Sequence, residues 1–315
     1  MKEVRRKNSW ILKLKNFLTY PVLSSGITFH ASRLVRLMTQ RRHVWKHGLF
    51  LLVIGILWTG RAWGEEMKQF RVCADPDNLP FTNRRLEGFE NKIADLVAKE
   101  LEASPFYIWW GQRIGFIRNT LKATLKEARC DVVMGVPQGY DLVRWTKPYY
   151  RASYVFVYRK DKDLQVNSLD DPILRRVKIG VHLLGNDYSN PPPVHELGKR
   201  GIVDNVVGYS TFYSQENPPS RIIEAVATGE IDVAIVWGPV AGYFVKKQSL
   251  PLALVPIPSS TGDLPFAFDI CLGVRQGEEN LKTQLEGILD RKQAEIRMIL
   301  EDYGVPLMAG KKDAP

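Results

Sequence analysis

Two stretches decide the fold: Ala128-Arg129-Cys130-Asp131-Val132-Val133-Met134-Gly135-Val136 and Gly229-Glu230-Ile231-Asp232-Val233-Ala234-Ile235-Val236-Trp237. In each, a helix-forming segment ends and an aspartate opens a short continuous apolar run, the composition of a strand buried in a parallel sheet. Working outward from the first, residues 70–74 form a strand stopped by the turn run Asp75-Pro76-Asp77-Asn78-Leu79-Pro80. Phe89, Ile93, Leu96, Val97 and Leu101 then recur at helical spacing behind Gly88. A short aromatic strand follows at 106–110 and a second helix at 118–128, giving the β-α-β-α-β rhythm of a helix-covered parallel sheet. Around the second stretch the rhythm repeats: strands at 177–181 and 206–209, helices at 194–200 and 219–228, and the strand 231–237.

Between the two units lie a strand at 153–158 and a charged stretch, 159–163, that has the character of a crossover. A strand at 266–274 and a long helix at 281–303 follow the second unit and are expected to return to the first. The fold class is therefore α/β, two open α/β lobes joined by two crossover strands. Lobe 1 takes residues 65–156 and 259–315, and lobe 2 takes 157–258.

Residues 1–64 precede this pattern. An apolar core from Gly48 to Trp58, led by Arg41, Arg42 and Lys46 and followed by small residues at Ala62 and Gly64, has the layout of a secretory signal peptide cleaved before Glu65. It is shorter than the roughly 20 apolar residues that a membrane span needs, which disfavours an uncleaved anchor. Met38 stands at an ordinary signal-peptide distance from Gly64 and marks an alternative start; the competing reading of residues 1–37 is a basic membrane-surface extension. The leader also carries the charge. It holds 12 of the 44 Lys and Arg and one of the 34 Asp and Glu, leaving 32 basic and 33 acidic residues in the mature part. Since no basic stripe survives there, nucleic-acid binding is not expected.

Cys73, Cys130 and Cys271 are the three cysteines. They allow three pairings in an oxidising compartment. Cys73 lies in the first strand and Cys130 just before the third, neighbours in a doubly wound lobe, so a Cys73–Cys130 bridge with Cys271 reduced is expected; the strand carrying Cys271 returns to the same lobe and competes. No spacing suggests haem attachment or zinc, and no cofactor or metal is expected. Asp75, Asp77 and Asn78 fall short of the six or more oxygens of a tight hard-cation site.

Two open α/β lobes enclose a cleft, and ligands in such sheets sit beyond the carboxyl ends of the strands. The loops there nominate Asp75, Asn78, Phe81, Glu90, Gln112, Arg113, Tyr149, Trp237 and Gly238, with Trp109 and Phe116 as further aromatic candidates and residues 183–187 as the facing loop. Each has a plainer alternative. An Asx-turn suits Asp75 and Asn78, helix-start stabilisation suits Glu90, and core packing suits the aromatic residues. Asp131 and Asp232 open strands at the far edge and read as structural.

Leu79-Pro80-Phe81, Leu86-Glu87-Gly88-Phe89-Glu90-Asn91, Cys130-Asp131-Val132-Val133-Met134-Gly135, Pro148-Tyr149-Tyr150 and Gly229-Glu230-Ile231-Asp232 resemble the ordered landmarks of type II periplasmic solute-binding proteins. Val72-Cys73-Ala74-Asp75-Pro76, Gly88-Phe89-Glu90-Asn91-Lys92-Ile93, Pro148-Tyr149-Tyr150-Arg151 and Trp237-Gly238-Pro239-Val240-Ala241-Gly242-Tyr243 resemble, more narrowly, the J-type proteins (MxaJ or XoxJ) encoded with quinoprotein methanol dehydrogenases. In the amino-acid-binding branch an arginine pairs the ligand carboxylate and an acid pairs its ammonium. Here the resemblance aligns those positions with Gly139 and Trp237, so a free amino acid would be desolvated without its ionic partners.

The resemblance implies a non-enzymatic periplasmic binding protein. Its implied role is assisting maturation or activation of a PQQ-dependent methanol dehydrogenase, with that enzyme and its cytochrome c as partners. The alternative is an ABC-transporter receptor for a small uncharged or cofactor-like solute. Catalysis on this scaffold would need two carboxylates of separated pKa across the cleft, and the loops offer only Asp75, Asp77 and Glu90 on one side and Asp187 on the other.

Overall fold

The computed structural model describes residues 68–122, 129–184, 190–258 and 263–309. The expected signal peptide, the alternative start and Asp187 lie outside the described residues. Among those described, no helix is long and apolar enough to cross a membrane.

In lobe 1, β1 (Lys68–Ala74) leads through two short antiparallel strands, β2 (Asp77–Asn78) and β3 (Thr82–Asn83), to α1 (Phe89–Glu100). Phe89, Ile93, Ala94 and Val97 of α1 form its buried stripe, as their spacing dictates. The chain continues through β4 (Ala103–Trp109), the one-turn α2 (Phe116–Asn119) and β5 (Val132–Pro137). Strand β1 pairs in parallel with β4 on one side and β5 on the other.

The crossing strand is β6 (Arg144–Arg159), far longer than the expected 153–158, so the strand itself crosses and the charged stretch 159–163 does not. Pro148 sits inside it opposite Cys271, where the ladder register shifts and a missing N–H is tolerated.

Lobe 2 contains β7 (Ile179–Leu183), α3 (Pro192–Lys199), β8 (Val206–Ser210), α4 (Arg221–Thr228), β9 (Val233–Trp237), α5 (Gly238–Lys246) and β10 (Leu252–Pro256). Strand β7 lies in parallel between β8 and β9, while β9 and β10 run antiparallel to β6. Helix α5 starts directly after β9: Pro239 sits in its first turn, where the absent N–H would have no intrahelical partner.

Finally β11 (Ala267–Val274) inserts between β5 and β6. The nine-stranded order is β4-β1-β5-β11-β6-β9-β7-β8, with β10 also on β6. The expected single terminal helix is two, α6 (Glu279–Arg291) and α7 (Gln293–Asp302), bent at Lys292. The bend brings Leu285, Ile288 and Leu289 together with Ile296 and Leu300 into the core around Phe89 and Ile93. The expected helix at 118–128 also differs. Gly115 takes a left-handed conformation to start α2 at Phe116, and Thr120 leaves the helix with its hydroxyl donating back to the Phe116 carbonyl at 2.7 Å; residues 123–128 lie outside the described set.

Cys73 and Cys130 are bridged, with Cα atoms 5.5 Å apart. Pairing of Val72 with Val132 and Cys73 with Val133 sets the register that brings the two thiols together. Cys271 is free and buried in the same cluster, and burial pushes its thiol up to about 12.

Candidate functional site

A cavity of about 310 Å³ opens where the middle of β6 meets the ends of β5 and β9. Its walls are the rings of Phe81, Tyr150, Tyr154, Trp237 and Phe268, with Met134 and Ile270 between them. The Trp237 ring packs edge-on against Tyr154 at 5.3 Å and Phe268 at 5.9 Å, centroid to centroid. Its polar side chains include Asn78, Glu90 and Gln112, and among the described residues no arginine or lysine lines it.

Asp75 organises the loops at the mouth. One carboxylate oxygen accepts from the Asp77 amide at 2.9 Å, the Asx-turn its position suggested, and the other from the Gln112 amide at 2.5 Å. The β1 and β4 loops are thereby tied together. Burial raises the Asp75 carboxyl above its ordinary value, and those two amides pull it back. Asn78 donates through Nδ2 to Gln112 Oε1 at 3.0 Å. Its own Oδ1 is buried with no protein partner.

Glu90 is 6 % exposed. Its Oε1 lies 3.4 Å from the Tyr149 hydroxyl, which also accepts from the Gly135 amide at 3.3 Å. Burial without a cation raises the Glu90 carboxyl to about 8, with Tyr149 opposing. Gly135 has φ +70°, and a Cβ there would come within 2.6 Å of Glu90 Oε1, so glycine permits the acid to reach this wall.

Of the residues nominated from sequence, Asn78, Phe81, Glu90, Gln112 and Trp237 line the cavity together, and Asp75 braces them. Three nominations fall elsewhere. Tyr149 lines a separate cavity, which Tyr150 also borders, and contributes its hydroxyl to Glu90. Arg113 lines an adjoining groove and carries its guanidinium 5.2 Å from the Phe212 ring of lobe 2. Gly238 is buried in α5, where a Cβ would meet the Ser153 carbonyl oxygen at 2.6 Å and Pro306 at 2.8 Å; its role there is close helix packing. Trp109 stacks on Tyr107, and Phe116 belongs to the adjoining groove. Sequence reasoning missed Tyr150, Tyr154 and Phe268, although the two-residue alternation Tyr150, Ala152, Tyr154 already placed both tyrosines on one strand face.

At the position aligned with the arginine anchor, Gly139 is exposed with φ +88°. The nearby Arg151 is paired with Asp269 at 2.7 Å. Asp131 accepts from the Arg71 amide at 2.9 Å and pairs its guanidinium, and Asp232 accepts from the Lys178 amide at 3.0 Å, the structural roles expected of both. Among the described residues no three His, Cys, Asp or Glu side chains gather in a metal-binding group.

No protein-family profile matches the sequence. Protein MoxJ of Methylorubrum extorquens is 30% identical over 249 residues, spanning 76% of this chain and 81% of that protein. The crystal structure of periplasmic binding protein XoxJ from Methylobacterium extorquens AM1 superposes with a TM-score of 0.63 at 35% identity, covering 76% of this chain and 100% of the other. The crystal structure of MxaJ from Methlophaga aminisulfidivorans MPT gives a TM-score of 0.63 at 28% identity, over 76% of this chain and 100% of that one.

Proposed function

The chain belongs to the MoxJ/XoxJ family of periplasmic binding proteins, and from that premise we propose that it serves a methanol-oxidation system by binding a PQQ-dependent methanol dehydrogenase and assisting its maturation. Such a role places it in the periplasm, in keeping with the signal-peptide layout before Glu65. The observation that carries the reading is the aromatic cleft, with Phe81, Tyr150, Tyr154, Trp237 and Phe268 on its walls and, among the described residues, no basic side chain to hold a ligand carboxylate. Aromatic anchors in concave sites supply much of the energy of protein association. Amino-acid transport, the usual work of related folds, loses both ionic anchors here. Catalysis is disfavoured because, among the described residues, Glu90 is the one Asp or Glu lining the cavity and Asp75 is committed to two backbone amides.

Calorimetry of the purified protein against apo-dehydrogenase, mature dehydrogenase and a panel of amino acids tests this. The expected result is dehydrogenase binding that Trp237→Ala weakens by about 2 kcal/mol or more, with thermal unfolding showing that the variant still folds. Micromolar binding of any amino acid, with neither form of the enzyme bound, would overturn it. A second reading, a receptor that hands a small solute to a membrane permease, is favoured by the cavity volume of about 310 Å³, which suits a small molecule. Genes for a permease and ATPase beside this one would support it, and genes for a dehydrogenase and cytochrome the first.

A further inference from the structure

Glu90 is a deeply buried carboxyl with no arginine or lysine beside it among the described residues. Tyr107 of β4 and Tyr149 and Tyr150 of β6 are the ionisable groups that face it, with Cys271 of β11 beyond Tyr149. All four are held neutral, the Tyr107 hydroxyl and the Cys271 thiol at about 12 and the other two well above the ordinary tyrosine value. A second buried acceptor, Asn78 Oδ1, lines the same cavity without a partner. Five aromatic rings, whose faces are electronegative, share the rest of the lining with Gln112, Met134, Gly135, Pro137 and Ile270. Buried acids are usually paired with protein cations, yet among the described residues none lines this cavity.

An ionised Glu90 would want a positive partner, and a group that meets both Glu90 and Asn78 Oδ1 must donate to oxygens. An anion would meet Glu90 with no cation to hold it, and a zwitterion would leave its carboxylate unpaired. An ammonium fits on three independent counts: it supplies the counter-charge, it donates to Glu90 and Asn78, and it is attracted to ring faces within about 6 Å. We propose that this cavity is a recognition site for an organic ammonium group, seated among the rings of Phe81, Tyr154, Trp237 and Phe268 with Glu90 and Asn78 as its hydrogen-bond acceptors. The group can belong to a free amine or to a lysine side chain of a partner protein, since the chemistry recognised is the same. The proposal stands apart from the dehydrogenase reading, which is decided by association with that enzyme and by Trp237→Ala.

Binding couples to one proton. The free site holds Glu90 protonated below about 8; seating the cation ionises it, and the carboxyl proton leaves to solvent. Affinity should therefore rise about tenfold per pH unit up to about 8 and then level, until the amine itself deprotonates near pH 10. Titration calorimetry of the purified protein with methylammonium, tetramethylammonium and 2-phenylethylammonium, each at three pH values and in two buffers of different ionisation enthalpy, reads both quantities. Tetramethylammonium has no N–H, so its weaker binding isolates the hydrogen-bond share. The neutral 2-phenylethanol and the zwitterion phenylalanine serve as controls.

At least one primary ammonium is expected to bind with release of close to one proton at pH 7 and with the stated rise. Glu90→Gln should lower its affinity tenfold or more while leaving 2-phenylethanol unaffected, and thermal unfolding of that variant checks its fold. A short lysine peptide that binds more tightly than every free amine, and loses that binding on Nε-acetylation, assigns the ammonium to a partner side chain; the reverse order assigns it to a small solute. Binding of 2-phenylethanol as tight as that of the ammonium, affinity that falls with rising pH, no proton release, an unaffected Glu90→Gln, or no binding of any cationic probe each overturns the proposal.

Discussion

Asp131 and Asp232 stand at matching places in the two lobes, each opening a buried strand and each accepting the backbone amide of a neighbouring strand segment, from Arg71 in one and Lys178 in the other. Beyond that shared device the lobes diverge. Lobe 1 places a disulfide beside its aspartate and buries an acid, Glu90, at the cleft. Lobe 2 has no cysteine; its buried acid, Glu196, is paired with Lys199 and Arg200, and it also buries a base, His182 on β7. The helix–strand rhythm leaves the chemistry of each interior open, and the polar groups that differ between lobes are where function is to be sought.

The largest expected consequence of this divergence is a dependence of stability on pH. In the unfolded chain Glu90 ionises at its ordinary 4.5, whereas in the fold burial holds the proton to about 8. Its contribution is therefore full below pH 4.5, is lost progressively as pH rises to about 8, and amounts to about 5 kcal/mol on that interval. Glu90→Gln should remove this slope, so urea unfolding series at several pH values ought to show the variant gaining on the parent from pH 5 to 8. A parent whose stability falls equally in both proteins would place the burden outside Glu90.

The disulfide sharpens the same contrast from the other side. Closing a 57-residue separation removes enough unfolded-chain freedom to contribute about 4 kcal/mol. Replacing both cysteines, Cys73→Ala with Cys130→Ala, should lower the unfolding free energy by about that much and leave Cys271 unreactive toward thiol reagents until the chain unfolds, since it is buried. A loss below about 1 kcal/mol would mean that packing around β1 and β5 already fixes lobe 1 without the bridge.

The contrast also explains what sequence could tell. Strands such as Val233–Trp237 and helix α1 were legible because each carries one unbroken pattern between clear stops. The crossing strand was truncated because Pro148 breaks its pattern, and only the shifted register opposite Cys271 makes room for it. The site followed the same logic. Asn78, Phe81, Glu90, Gln112 and Trp237 lie in or beside loops at strand ends, where open α/β sheets place ligands. Tyr150, Tyr154 and Phe268 sit in mid-strand, and they face the cleft because β6 and β11 run past it between the lobes, a fact of topology that local pattern does not carry.

The smallest of the three effects belongs to lobe 2, and it opposes the first. Burial lowers His182 to about 4, with the Tyr213 ring edge-on at 6.2 Å, whereas the unfolded histidine protonates near 6.5. Its contribution is therefore full above pH 6.5 and is lost as pH falls to about 4, about 3 kcal/mol in all. Between pH 4.5 and 6.5 the two slopes cancel, one group releasing a proton on unfolding while the other takes one up. Their shares of the pH dependence thus offset each other over that range, and the Glu90 loss stands without the His182 gain from 6.5 to 8. His182→Phe keeps a ring in place and removes the titration. It should lose ground to the parent as pH rises from about 4 to 6.5, while Glu90→Gln gains on the parent from 4.5 to 8. A difference from the parent that does not change with pH would show that the group replaced does not carry its share.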